Sequence, residues 1–152
     1  MKYRGWSGPC VRNNSTTHLL DRVAKDMGQQ CYEVPVGFKY ISAKMAETNA
    51  VIGGESSGGL AVRGHIAGKD GIYAAALLVE MLAVTGKSVS QLYQEITDKY
   101  GMLYYEDAAF TMTQARKAEL QEKLFVKLEV PDFGNGVEKI NRTDGCKVYF
   151  TD

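Results

Sequence analysis

Val51-Ile-Gly-Gly-Glu-Ser-Ser-Gly-Gly59, followed by Lys69-Asp-Gly71, sets the reading of this 152-residue chain. Its apolar start reads as a buried strand. The glycines then read as a loop carrying a carboxylate and two hydroxyls. The charged pair opens a helix, 70–85, that is apolar nearly all round and is expected to be deeply buried. Glu55, Ser56 and Ser57 are thereby placed on loop backbone at the rim of a sheet, where polar groups can grip a polyhydroxylated ligand.

Outward from this stretch the alternation continues in both directions. Residues 8–13 and 31–36 read as strands. Residues 18–27 carry Leu19, Leu20, Val23 and Met27 at helical spacing behind the hydroxyls of Ser15-Thr-Thr17. Residues 38–47 read as a short helix with Phe38, Ile41 and Met45 on one face. Strand and helix alternating in this way predict an α/β fold, a three-layer α/β/α domain with a mixed or parallel sheet. In such folds ligands sit beyond the carboxyl ends of the strands. Three segments are expected to converge there: 15–17, 36–39 and 53–59.

Gly86 marks the predicted end of this domain, 1–86. Residues 87–130 read as linker helices, with Ser88 and Thr113 as caps. Residues 131–152 read as an incomplete α+β segment, a hairpin around Thr143-Asp-Gly145.

Composition narrows the partners. Lys plus Arg equals Asp plus Glu at 18 each, so no charge excess favours nucleic acid or an anionic membrane. The longest apolar stretch, 72–84, contains Glu80 and is too short to span a bilayer. The N-terminal residues are polar and carry no signal-like core. Cys10, Cys31 and Cys146 are far apart and lack CxxC spacing, which argues against a disulfide framework or a zinc site. A cytoplasmic setting is expected. The glycine loop alone leaves a phosphate- or nucleotide-binding module open, although it lacks the GK[ST] ending of a P-loop and no GxGxxG is present. A non-enzymatic interaction domain is the third reading.

Four segments in order resemble the α-D-phosphohexomutases, the phosphoglucomutase and phosphomannomutase family. They are Ser15-Thr-Thr-His-Leu-Leu-Asp-Arg22, Glu33-Val-Pro-Val-Gly-Phe-Lys-Tyr40, Gly54-Glu-Ser-Ser-Gly58, which is similar to a sugar-binding GExSG loop, and the segment from His65 to Ala74, which is similar to HIxxKDGxxA. The resemblance covers roughly residues 11–100 and implies most of the family's third domain, without its first helix, and the opening of the fourth. It implies an isomerase, an intramolecular phosphotransferase that interconverts hexose 1- and 6-phosphates. The family's phosphoserine loop, its aspartate-rich magnesium loop and its phosphate-gripping RPSGTEP-like loop have no counterpart here.

By this resemblance Glu55 and Ser57 bind sugar hydroxyls, and Gly37 and Lys39 belong to a second substrate loop. Arg12 faces the cleft, and Lys69 and His65 approach the reacting phosphate. Magnesium and a hexose bisphosphate activator are implied for the whole enzyme, with neither held by this chain. The expected partners are a hexose phosphate, the remaining domains of the same chain, and a second copy through the apolar surface that a missing helix would leave.

Overall fold

A computed structural model describes residues 4–134 and 136–151. The expectations for the first three residues and for Asn135 in the loop before the hairpin lie outside the described residues. The chain divides into two compact units, 1–104 and 105–152.

In the first unit the order is β1 (Cys10–Asn13), α1 (Leu19–Asp26), β2 (Cys31–Val34), α2 (Phe38–Thr48), β3 (Ile52–Gly54), β4 (Leu60–Val62), α3 (Gly71–Thr85) and α4 (Val89–Tyr100). The sheet order is β2-β1-β3-β4. β1 lies parallel to both β2 and β3, and β4 runs antiparallel to β3. The sheet is therefore mixed, as expected, and the fold class is α/β.

Side chains alternate across a strand, so each strand serves two layers. On one face Val11 and Val34 meet Ile41 of α2 and Ala50 in a buried apolar cluster, flanked by Tyr32, Phe38 and Met45. On the other, Arg12 of β1 bonds Asp21 of α1 and Glu33 of β2. α1 and α2 thus cover opposite faces, which makes the three layers. Gly53 faces α2 and has no room for a side chain: a Cβ there would lie 2.5 Å from both Ile41 Cγ2 and Met45 Sδ.

Three findings differ from the sequence reading. β4 was not expected. It arises from the glycine loop, which turns the chain back so that Leu60 pairs with Gly54 and Val62 with Ile52.

α3 matches the expected bounds to within one residue, and Asp70 is its cap, Oδ1 accepting from Tyr73 N at 3.0 Å. It is not buried: Ile72 is 86% exposed, Val79 64% and Val84 56%. An apolar composition records what a helix gains when covered, and among the described elements β4 is the one in substantial contact with it.

The third difference is α4, expected in a linker, which is tied to α1. Lys99 Nζ and Tyr100 Oη both donate to Asp26 Oδ2, at 2.5 and 2.9 Å, and Arg22 Nη1 donates to the Tyr100 carbonyl at 2.7 Å. The Ser88–Gln91 capping box starts this helix.

The second unit contains α5 (Gln114–Gln121), a π-helical turn (Glu122–Val126), and the antiparallel hairpin of β5 (Val137–Asn141) with β6 (Lys147–Phe150). Thr113 caps α5, as its position predicts, accepting from Arg116 N at 3.3 Å. Arg142 closes the hairpin onto the helical turn, donating to the carbonyls of Leu124 and Leu128.

Candidate functional site

The carboxyl ends of β1, β2 and β3 each feed a loop, and the three loops interlock around one carboxylate. Glu55 lies just past β3, with a side chain only 5% exposed. Its two oxygens have different company. Oε1 accepts from Asn13 Nδ2 at 3.4 Å and from the Gly37 backbone N–H at 3.3 Å. Oε2 faces Lys69 Nζ at 2.9 Å and accepts from Ser57 Oγ at 3.4 Å. The partners on Oε1 belong to the scaffold. Those on Oε2 are an exposed serine and a lysine whose side chain is 52% exposed.

Each loop is held by local chemistry. Asn13 ends β1 fully buried, and its Oδ1 accepts from Ser15 N, Ser15 Oγ and Thr16 Oγ1, at 3.2, 3.3 and 2.7 Å. This is the Asx-type turn that an asparagine before a loop favours. Thr16 Oγ1 in turn accepts from Ser56 N at 2.9 Å, joining the first loop to the third. The third loop closes on itself through Glu55 N to the Gly59 carbonyl at 2.9 Å and Gly58 N to the Glu55 carbonyl at 3.0 Å. Gly37 precedes α2 with φ 130°, a backbone region that residues with a Cβ rarely adopt. That conformation aims its N–H at Glu55.

The Lys69 ammonium also sits 5.2 Å from the centroid of the Phe38 ring, an apolar wall beside the charge. The Glu55 carboxyl is held below its ordinary value, chiefly by the hydrogen bond from Lys69, against the opposing effect of burial. A carboxyl lowered in the folded state stabilises the fold above its unfolded value, near 4.5, and this is lost as pH falls through the lower folded value. Wild type is therefore expected to melt above Lys69→Met at neutral pH, and the gap should close as pH falls below that range. Melting curves against pH check this. Half the pair is exposed, so added salt should narrow the gap as well.

The structure brings Glu55, Ser57, Gly37 and Lys69 together, and it leaves three of the expected site residues elsewhere. Arg12 does not face a cleft. It is 2% exposed and lies under α1. Its Nε donates to Asp21 Oδ2 at 2.9 Å, and its Nη1 to Glu33 Oε2 at 2.8 Å and the Asn13 carbonyl at 3.2 Å. Nη2 lies 3.2 Å from His18 Nδ1. Burial works against this charge, but the bonds to Asp21 and Glu33 outweigh it and hold the guanidinium above its ordinary value.

Lys39 lies on the first turn of α2 with its ammonium over the Tyr40 ring at 4.8 Å, and it is not among the partners of Glu55 described above. His65 pairs with the helix cap, Nε2 to Asp70 Oδ2 at 2.8 Å, and stacks on Tyr73 at 4.0 Å. Both His65 contacts look back to α3 rather than to the loops. Asn13 and Thr16 are the organisers that sequence reasoning missed or read as plain capping. Their signal was the run Asn13-Asn-Ser-Thr16 directly after a strand.

No group of three or more His, Cys, Asp or Glu side chains is placed to hold a metal ion among the described residues. No single helix among the described residues is long and apolar enough to cross a membrane.

Comparison with known proteins assigns the arrangement. Residues 1–100 match the family described as "Phosphoglucomutase/phosphomannomutase, alpha/beta/alpha domain III". A phosphoglucomutase/phosphomannomutase of Thermococcus kodakarensis is 30% identical over 145 residues, 95% of this chain and 30% of that protein. Phosphoglucomutase 2 of Saccharomyces cerevisiae is 32% identical over 115 residues, 71% of this chain and 20% of its own length. A crystal structure assigned as a phosphomannomutase from Thermus thermophilus superposes with a TM-score of 0.74 at 29% identity, covering 99% of this chain and 30% of that one. The chain thus spans less than a third of the length of these relatives. Within that span the loops that enclose Glu55 lie inside the matched domain, and the chain belongs to the phosphoglucomutase/phosphomannomutase family.

Proposed function

We propose that this chain supplies the sugar-hydroxyl-binding loop of an isomerase, an intramolecular phosphotransferase that interconverts hexose 1- and 6-phosphates in carbohydrate metabolism. Family membership supports this reading, and one observation carries it: the unequal surroundings of the two Glu55 oxygens. Oε1 is anchored by Asn13 and Gly37, which fixes the carboxylate at the strand ends. Oε2 is shared with Ser57 and Lys69, both of which can move away. A sugar hydroxyl donates readily to a carboxylate, and a displaced serine hydroxyl both donates and accepts beside it. Lys69, released from Glu55, presents a compact positive charge suited to the phosphate of the same ligand.

Phosphoryl transfer is mostly positioning and charge stabilisation. The phosphoserine, the magnesium ligands and the grip on the second phosphate belong, in this reading, to further domains of the same protein. The isolated chain is accordingly expected to be inactive, and magnesium and a hexose bisphosphate activator act elsewhere in the whole enzyme. The exposed apolar residues of α3 support cover by those domains, or by a second copy when they are absent. A cytoplasmic setting goes with a phosphorylated sugar as substrate.

Glu55→Ala in the full-length enzyme tests the reading. The mutase assay should show kcat/KM for glucose 1-phosphate reduced by roughly a hundredfold, the loss of about 3 kcal/mol that removal of a charged hydrogen bond to substrate brings. The variant should stay folded, with a melting temperature lowered because Asn13, Gly37 and Lys69 lose their acceptor, so activity is compared well below it. Unchanged kcat and KM would sink the role.

A further inference from the structure

Cys10 and Cys31 are distant in the sequence but are register partners on neighbouring parallel strands. Adjacent strands lie about 4.8 Å apart, inside the Cα separation of about 4.4–6.8 Å that a disulfide requires. The two side chains share the α1 face of the sheet with Arg12 and Glu33, which pair two residues further along in the same register. Cys10 is buried, whereas Cys31 is only half-buried on β2, the edge strand. Both are free thiols, and the site lies at the amino ends of the strands, opposite the Glu55 loops.

We propose that Cys10 and Cys31 form a vicinal dithiol that a hydroperoxide closes to an intrachain disulfide, clipping β1 to β2. One thiolate attacks a peroxide oxygen, giving a sulfenic acid and hydroxide. The second sulfur then attacks the first, and the sulfenic oxygen leaves as water once protonated. The two thiols lose two electrons and two protons. The O–O bond takes up both, and hydrogen peroxide becomes two waters. The S–H of Cys31, donated to Cys10, holds the Cys10 thiol below its ordinary value and that of Cys31 above it, which makes Cys10 the attacking sulfur and Cys31 the one that resolves the sulfenic acid. Cys31, partly open on the edge strand, gives the oxidant its way to the neighbouring Cys10 sulfur. Closing the loop between the strands constrains the unfolded chain, so the oxidised form is the more stable one.

The test uses the whole chain carrying Cys146→Ser, which leaves only these two cysteine thiols. After treatment with hydrogen peroxide, intact mass should fall by two hydrogens. Trypsin should release the peptide Gly5–Arg12 joined to Asp26–Lys39. The melting temperature should rise by several degrees, and dithiothreitol should reverse all three changes. Cys31→Ser, an edge-strand change expected to fold, should abolish the mass loss, as should Cys10→Ser. Added oxygen on Cys10 or Cys31 with no joined peptide, a crosslink between two chains, or the same mass loss in Cys31→Ser would overturn the proposal.

Discussion

Arg12→Ala is expected to destabilise the first unit by about 3 kcal/mol or more, the cost of breaking a buried ion pair from one side. The side chain is 3% exposed and its partners Asp21 and Glu33 are 37% and 18% exposed. Removing the guanidinium takes the shared cation from Asp21 and Glu33 and leaves the Asn13 carbonyl with Thr16 N as a donor. Asp21 can still turn to water, which keeps the estimate at the lower end of the range for such pairs. Arg12→Lys should recover little, because one ammonium cannot replace a planar fork that reaches α1, β2 and its own strand together. Thermal unfolding checks this, and a fall of roughly 12 °C or more is expected for Arg12→Ala. If Arg12 were instead a cleft-facing ligand of the substrate, the variant would melt like wild type and lose only sugar-phosphate affinity.

Gly53→Ala is the second large effect. The new Cβ would stand 2.5 Å from Ile41 Cγ2 and from Met45 Sδ, and 3.1 Å from Met45 Cγ. Met45 is flexible and can withdraw, but Ile41 is fully buried and cannot. Overpacking of this kind costs about 2–3 kcal/mol. A melting temperature lower by roughly 10 °C is expected, with weaker hydrogen-exchange protection in β3. Met45→Ala makes room on one side of the glycine. The double variant should therefore lose less than the sum of the two single changes, a coupling that a double-mutant cycle measures. Simple additivity would mean that α2 moves as a body and that the close approach is not what fixes glycine here.

Both effects show where the sequence was informative. The order of strands and helices follows from local pattern: helical spacing in 18–27 and 38–47, caps at Ser88 and Thr113, and glycines at the strand ends. Three residues of β4 offer no such period. Leu60-Ala-Val62 becomes a strand only because the loop returns it to β3.

The site divides in the same way. The meeting of Glu55, Ser57 and Gly37 was legible because their segments share one end of the sheet, whereas Lys69 was placed with them by the family resemblance alone. The role of Arg12 was not, since the carboxylates that hold it arrive through the parallel register and through α1. The positions of His65 and Lys39 were set by nearby rings and a helix cap, Tyr73 with Asp70 and Tyr40 respectively. Asn13 left a local trace but required Glu55 to give it a purpose. The exposure of α3 could not be read from its own residues at all, because burial depends on what stands opposite.

The central claim is that the Glu55 loop contacts the hydroxyls of a hexose phosphate. The most direct measurement is an amide-resolved NMR titration of this chain with glucose 1-phosphate, set beside the same titration with inorganic phosphate and with ATP. The account predicts shifts in the 13–17, 37–39 and 55–59 backbone amides with the sugar phosphate, much smaller shifts with phosphate alone, and their loss in Glu55→Ala. Shifts in those loops driven equally by phosphate or ATP, or sugar-phosphate shifts that survive Glu55→Ala, would contradict it.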